Sequence, residues 1–215
     1  MNFTNKNILI VGSGISGMGA LQALSTVHAH CIIFDGNAKL TEEDVVKKFP
    51  EGCSAQVCIG TVPEQVLSCL DMAVVSPGVP IDNPLLNVLR EHNVPIIGEI
   101  ELGYQLAKGR IIAITGTNGK TTTTTLVGQM MKDYYESVFV VGNIGYPYTL
   151  EALKTTEESI TVAEISSFQL ETVEEFCPEV SAILNDPKTP LPANSNLQPY
   201  WMVLKNKVKK IFHLK

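Results

Sequence analysis

Between Asn7 and Phe34 the chain carries no Asp, Glu, Lys or Arg, and only 18% of its 215 residues are charged. Soluble domains average about 25% charged residues, so this is an apolar chain, yet it lacks the uninterrupted run of roughly 18 apolar residues that a membrane span needs. The charge-free stretch follows Lys6 and begins Ile8-Leu9-Ile10-Val11, as a secretory leader would. It is broken by Gly12, Gly14, Gly17 and Gly19, carries Gln22, His28 and His30, and lacks a small-residue cleavage site, so a glycine-rich strand-to-helix turn accounts for it better. No C-x-x-C pair occurs among Cys31, Cys53, Cys58, Cys69 and Cys177. An odd number of unpaired cysteines in apolar runs reads as buried free thiols of a reducing compartment, which places the protein in the cytoplasm. Excess positive charge is also missing: the net charge is −6, which argues against a nucleic-acid surface and leaves Lys205, Lys207, Lys209, Lys210 and Lys215 as a solvated face or loose tail.

What is present is alternation. Strand-like runs at Asn7–Val11, Cys31–Asp35, Ala55–Ile59, Met72–Ser76 and Pro95–Ile97 are separated by helix-like segments at Ser16–Val27, Thr41–Phe49, Pro63–Leu70 and Pro84–Glu91. Strands about every 20 residues with helices between them predict right-handed βαβ units and a parallel sheet. The pattern then restarts. A helix at Glu99–Lys108 leads to strand Arg110–Thr115, helix Gly119–Asp133 and strands Val138–Val141, Thr161–Ile165 and Val180–Leu184. The expected organisation is an α/β chain: a Rossmann-like domain over 1–98, a linker helix over 99–108, a partial central domain over 109–185 and an irregular tail over 186–215. From Asp186 three prolines and no apolar period end the pattern, so the second sheet is expected to be unfinished, with an open edge and poor solubility.

Several turns carry chemistry. Gly12-Ser13-Gly14-Ile15-Ser16-Gly17 follows a strand, opens a helix and is followed by Asp35 at the end of the next strand. Glycines there allow a tight turn and let a phosphate reach the positive helix end, while the acid meets a ribose hydroxyl. NAD or FAD, another nucleotide, or a purely structural turn all remain open on that motif alone. Ser76-Pro77-Gly78 ends a strand where open sheets bind ligands, although by itself an ordinary turn explains it better. A stronger signature is Thr115-Gly116-Thr117-Asn118-Gly119-Lys120-Thr121 between strand and helix. Loop amides and the helix dipole hold phosphates, Lys120 adds a point charge and the Thr121 hydroxyl can bind Mg²⁺, although Ile114 stands where the first glycine of the strict G-x-x-x-x-G-K-[ST] pattern belongs. Glu164 at a buried strand end needs a partner, either a hard cation or the next helix, and Gly142-Asn143-Ile144-Gly145 reads as a plain turn.

Together these segments, with Glu99-Ile100-Glu101-Leu102 and Glu164–Glu171, resemble the Mur ligase family in the order in which they occur from about Lys6 to Asn185. The resemblance implies an N-terminal Rossmann-like domain and a P-loop-type central domain, and an ATP-dependent, ADP-forming amide ligase of peptidoglycan precursor synthesis. Such an enzyme joins D-glutamate to UDP-N-acetylmuramoyl-L-alanine through an acyl phosphate. It implies that the first domain holds the UDP of the substrate rather than NAD, with Ile15, Ser16, Asp35, Ser76 and Gly78 in contact with it. Thr115, Gly116, Thr117, Asn118, Gly119, Lys120, Thr121 and Thr122 would form the ATP loop. Thr121 and Glu164 would hold Mg²⁺, Asn143 would lie near nucleotide and metal, and Ser166 near the substrate; Lys120, Glu164 and Asn143 are the implied catalytic group. Its partners would be small molecules, without nucleic acid or membrane, and the chain a monomer.

The departures matter too. Gly36 follows Asp35 where relatives often carry Thr-Arg, and the His and Lys that serve a second metal in the family are not recognisable after Asn185. The expectation is therefore an incomplete, weakly active or inactive ligase chain, from a truncated gene or a frame change. The alternatives are a non-catalytic UDP-sugar-binding module and an NAD-dependent oxidoreductase domain.

Overall fold

The computed structural model describes residues 1–80, 82–142 and 146–184. It divides into two compact units, Met1–Leu106 and Ala107–Lys215.

In the first unit, β1 (Asn7–Val11), β2 (His30–Asp35), β3 (Gln56–Ile59), β4 (Met72–Val75) and β5 (Ile96–Gly98) form a wholly parallel sheet in the order β3-β2-β1-β4-β5. A parallel strand covered on both faces must be apolar on both, and the run Ile8-Leu9-Ile10-Val11 is. Ile8, Ile10, Ile33 and Val74 pack on one face with Leu21 and Leu24 of α1 (Ile15–Thr26) and Leu102 of α5 (Glu99–Leu106). Leu9, Val11, Ile32 and Phe34 point the other way. They meet Val66 and Leu67 of α3 (Glu64–Leu67) and Leu86 and Leu89 of α4 (Pro84–Glu91). The short α2 (Glu42–Val46) starts at a reciprocal cap between Thr41 and Asp44 and inserts Val45 into the first core. Among these elements the chain order reverses between β1 and β4, which opens a crevice at their carboxyl ends.

The second unit has β6 (Arg110–Thr115), β7 (Val138–Gly142), β8 (Ile160–Glu164) and β9 (Val180–Ile183), again all parallel, in the order β7-β8-β6-β9. Helix α6 (Lys120–Lys132) covers the sheet through Val127 and Met131. Its buried Thr124 and Gly128 are small because the sheet lies close; a Cβ at Gly128 would come within 2.5 Å of the Val140 side chain. Two short helices were not anticipated, α7 (Tyr148–Ala152) and α8 (Ser167–Leu170). Among the described strands β9 lies at an edge, with Val180 55% and Ile183 39% exposed. The tail from 186 lies outside the described residues.

The cysteines depart from the expected burial. All are free, and Cys31 and Cys58 are buried in the sheet, but Cys69 and Cys177 are exposed because they sit in connecting turns rather than in strands. Burial and the nearby Cys53 push the Cys31 thiol up to about 12, so it stays protonated.

Candidate functional site

The crevice between β1 and β4 is a cleft of about 410 Å³ lined by the glycine turn, the end of β2 and the turn after β4. Its shape depends on two glycines. Gly12 has φ 106°, and a Cβ there would meet the Ser76 hydroxyl at 3.0 Å. At Gly17 a Cβ would lie 1.9 Å from the carbonyl oxygen of Gly12, so α1 can approach the strand end only because that position is glycine. Ser76 to Val79 forms a tight turn closed by the Val79 amide donating to the Ser76 carbonyl at 3.0 Å. Gly14 and Gly78 behave differently: neither has positive φ, and a Cβ at either would meet nothing within 4 Å. The fold makes no demand for glycine there; both line the cleft, which they leave open to whatever enters. Ile15, 79% exposed, and Ser16 begin α1, whose first amides have no acceptor within the helix.

Asp35 is engaged within the turn. Its Oδ2 accepts from the backbone amide of Ser13 at 3.0 Å and from the Ser13 hydroxyl, while Oδ1 accepts from the Asn37 amide at 2.9 Å. Partial burial pushes this carboxyl up, but the Ser13 hydroxyl, the Asn37 and Ser13 amides and the Lys48 charge outweigh that and hold it below the ordinary 3.8. A depressed carboxylate stabilises the fold fully above its unfolded value, and that contribution is lost as pH falls through the folded value. Asp35→Asn is therefore expected to flatten the acid side of the stability profile, measured by urea melts from neutral pH downward; an acid limb parallel to that of the parent would contradict this.

In the second unit the loop after β6 is exposed at Thr117, Asn118 and Gly119 and again at Thr121 and Thr122. Gly116 has φ 142° and Gly119 φ 80°, backbone conformations that favour glycine, while Ile114, where the strict pattern has glycine, is buried in the core. Lys120 folds back over the loop, its Nζ donating to the carbonyls of Gly116 at 2.8 Å and Thr117 at 3.3 Å. These two bonds hold the ammonium against the loop. Thr115 is buried and paired with Ile183 of β9, which anchors the start of the loop.

Glu164 is 1% exposed and ends β8 in register with Ile114 on one side and Gly142 on the other. Gly142 has φ 106°, and a Cβ there would strike the Glu164 carbonyl at 2.0 Å, so the two strand ends touch. Glu164 does not cap the next helix. Ser166 does: its hydroxyl donates to Gln169 Oε1 at 2.9 Å and accepts from the Gln169 amide, and the Ser166 amide donates to the same oxygen. Asn143 lies outside the described residues. Among the described residues no three His, Cys, Asp or Glu side chains converge, so a cation here would draw on one carboxylate, the Thr121 hydroxyl and phosphate oxygens, a donor set of hard oxygens that fits Mg²⁺. Among the described residues no helix is long and apolar enough to cross a membrane.

Two family models match the chain, "Mur ligase MurD-like, N-terminal domain" over residues 6–98 and "Mur ligase middle domain" over residues 114–186. The chain belongs to the Mur ligase family. A UDP-N-acetylmuramoylalanine–D-glutamate ligase of Lachnospira eligens is 57% identical to this Mur ligase chain over 185 residues, and one of Lachnoclostridium phytofermentans is 52% identical. Each match covers 86% of the chain and 41% of the relative, so the chain spans about two fifths of the length of the curated relatives it matches. Among solved structures, a pseudomurein peptide ligase type C from Methanothermus fervidus aligns with 97% of this Mur ligase chain and 43% of its own, at 20% identity and a TM-score of 0.44. The first family match lies within the first compact unit and the second match starts and ends within the second.

Proposed function

We propose that the chain serves ATP-dependent, ADP-forming amide ligation in peptidoglycan precursor synthesis, acting as a monomer on UDP-N-acetylmuramoyl-L-alanine and D-glutamate. In this reading residues 1–98 hold the UDP end of the substrate, 99–108 connect, and 109–185 hold ATP. The observation that carries it is the presence of two glycine-bearing strand-to-helix turns on two separate sheets, in a chain whose relatives bear that ligase name.

Joining two anionic substrates under a phosphoryl transfer demands that negative charge be gathered and offset. In the first cleft Ile15 and Ser16 offer helix-start amides to the diphosphate, with Ser76 and Gly78 on the opposite wall. In the second unit the amides of Thr117 to Thr122 cradle the triphosphate and the Lys120 ammonium holds its transferring end. A bound Mg²⁺ would supply Lewis-acid neutralisation of the charge that develops on phosphoryl transfer. Thr121 and Glu164 would hold it, with Asn143 nearby. The substrate carboxylate would take the terminal phosphoryl group as an acyl phosphate, with Ser166 beside it. The amine of D-glutamate would then attack the acyl carbon and expel phosphate.

Calorimetry with UDP-N-acetylmuramoyl-L-alanine, ATP–Mg²⁺ and NAD tests the reading. Binding of the first two and not of NAD is expected. ADP release that requires both substrate and D-glutamate would establish ligation by this chain; tight UDP-substrate binding without any ATP affinity would leave a UDP-sugar-binding module instead, and NAD binding alone would point to an oxidoreductase domain.

A further inference from the structure

Among the residues that line the first cleft, Asp35 is the one ionisable side chain, and it is negative. A diphosphate entering there meets a carboxylate that local hydrogen bonds keep ionised. The start of α1 offers only about half a positive charge against it. The balance is unfavourable unless a full cation joins.

Lys48 is placed to be that cation. It follows α2, where the Thr41–Asp44 cap and the fully buried Val45 fix the backbone, and its amide donates to the Val45 carbonyl at 3.0 Å. Its Nζ donates to the Ser13 hydroxyl oxygen at 3.4 Å, while that hydroxyl donates to Asp35. Ser13 is 2% exposed and lines the cleft, so the ammonium stands at the back of the phosphate turn. At 3.4 Å the bond is a weak one, and among the described residues no carboxylate lies within ion-pair distance of Lys48. The ammonium thus stands near the cleft, its charge felt by Asp35 but with no direct ion pair to hold it there.

We infer that Lys48 is the cationic arm of the first cleft, leaving Ser13 to pair with the diphosphate of the bound ligand. The inference rests on the reading of that cleft as a UDP site. Lys48 thus supplies through a side chain what Gly36 and Asn37, with no charge of their own, do not supply at the adjacent strand end.

The test is calorimetry on the full chain with UDP and with uridine, comparing the parent, Lys48→Gln, Lys48→Arg and, as a control for net charge, Lys47→Gln. Lys48→Gln should weaken UDP about tenfold, the worth of one charge-assisted hydrogen bond. Uridine, which has no phosphate, should bind unchanged. Lys48→Arg should restore most of the UDP affinity, and Lys47→Gln should have no effect. Equal weakening of UDP and uridine would overturn the inference, because Lys48 would then act only by holding Ser13 and Asp35. So would an equal loss in Lys47→Gln, or no loss in Lys48→Gln. If the parent chain binds neither UDP nor uridine, the UDP reading of the cleft fails first, an outcome distinct from a parent that binds and a variant that does not respond.

Discussion

Lys120→Ala is expected to weaken ATP–Mg²⁺ binding by about a hundredfold or more while UDP affinity and the melting temperature stay where they were. The ammonium is already held over the loop by the Gly116 and Thr117 carbonyls, so little ordering is needed before it meets a phosphate. Truncating a well-placed charge opposite another costs on the order of 2–5 kcal/mol. Stability should hold, because Lys120 is the first residue of α6 and alanine is the best helix former. The two turns stand on separate sheets in separate compact units, which is why the losses should not travel together. Paired titrations with ATP–Mg²⁺ and UDP decide it. A parallel fall in UDP affinity would contradict the division of labour between the units.

The second large effect comes from two glycines in one turn. In Gly17→Ala the new methyl carbon would sit on the Gly12 carbonyl, and because both partners are backbone, helix α1 or the strand end must move. A loss of about 3 kcal/mol is expected in the first unit, at the upper end of overpacking costs. Gly14→Val places a larger group into open space at an ordinary φ of −80°. It should cost at most about 1 kcal/mol, as a poor helix cap does, yet weaken UDP at least about tenfold by filling the cleft. Denaturant melts and UDP titrations on both variants separate the two roles. Unchanged UDP affinity in Gly14→Val would mean that the ligand does not pass over that turn.

Where the sequence spoke through periodicity, it was legible. β1, β6 and α4 occupy the residues that the apolar runs and Pro84 mark out, because a parallel strand buried on both faces is a continuous apolar run and proline fits a first helical turn. The short helices were not legible in this way, since α7 has five residues and α8 four, too few for a period to register. A signal for α8 was nevertheless present: Ser166 followed by Gln169 has the spacing of a reciprocal cap, and the structure uses it so. The site divided along the same line. Glycine spacing marks the two turns, but nothing in linear order tells that Ser13 reaches Asp35, or that Lys48 reaches Ser13, because those contacts are made by the pairing of β2 with β1 and by the packing of α2 over the sheet.

The position of β6 has a consequence for the birth of the chain. Both of its sheet partners follow it: β8 begins at Ile160 and β9 at Val180. The glycine-bearing loop hangs from the end of β6, and on its outer side Thr115 is seated when Ile183 pairs with it. A nascent polypeptide completes β5 at Gly98 and can close its first sheet while the strands that seat the second loop have not yet been made. Pairings so distant along the chain are also slow to form. During synthesis, then, the first glycine turn is framed before the second loop, and a chain halted between Leu106 and Val180 has the first sheet with its covering helices but not the strand that seats Thr115.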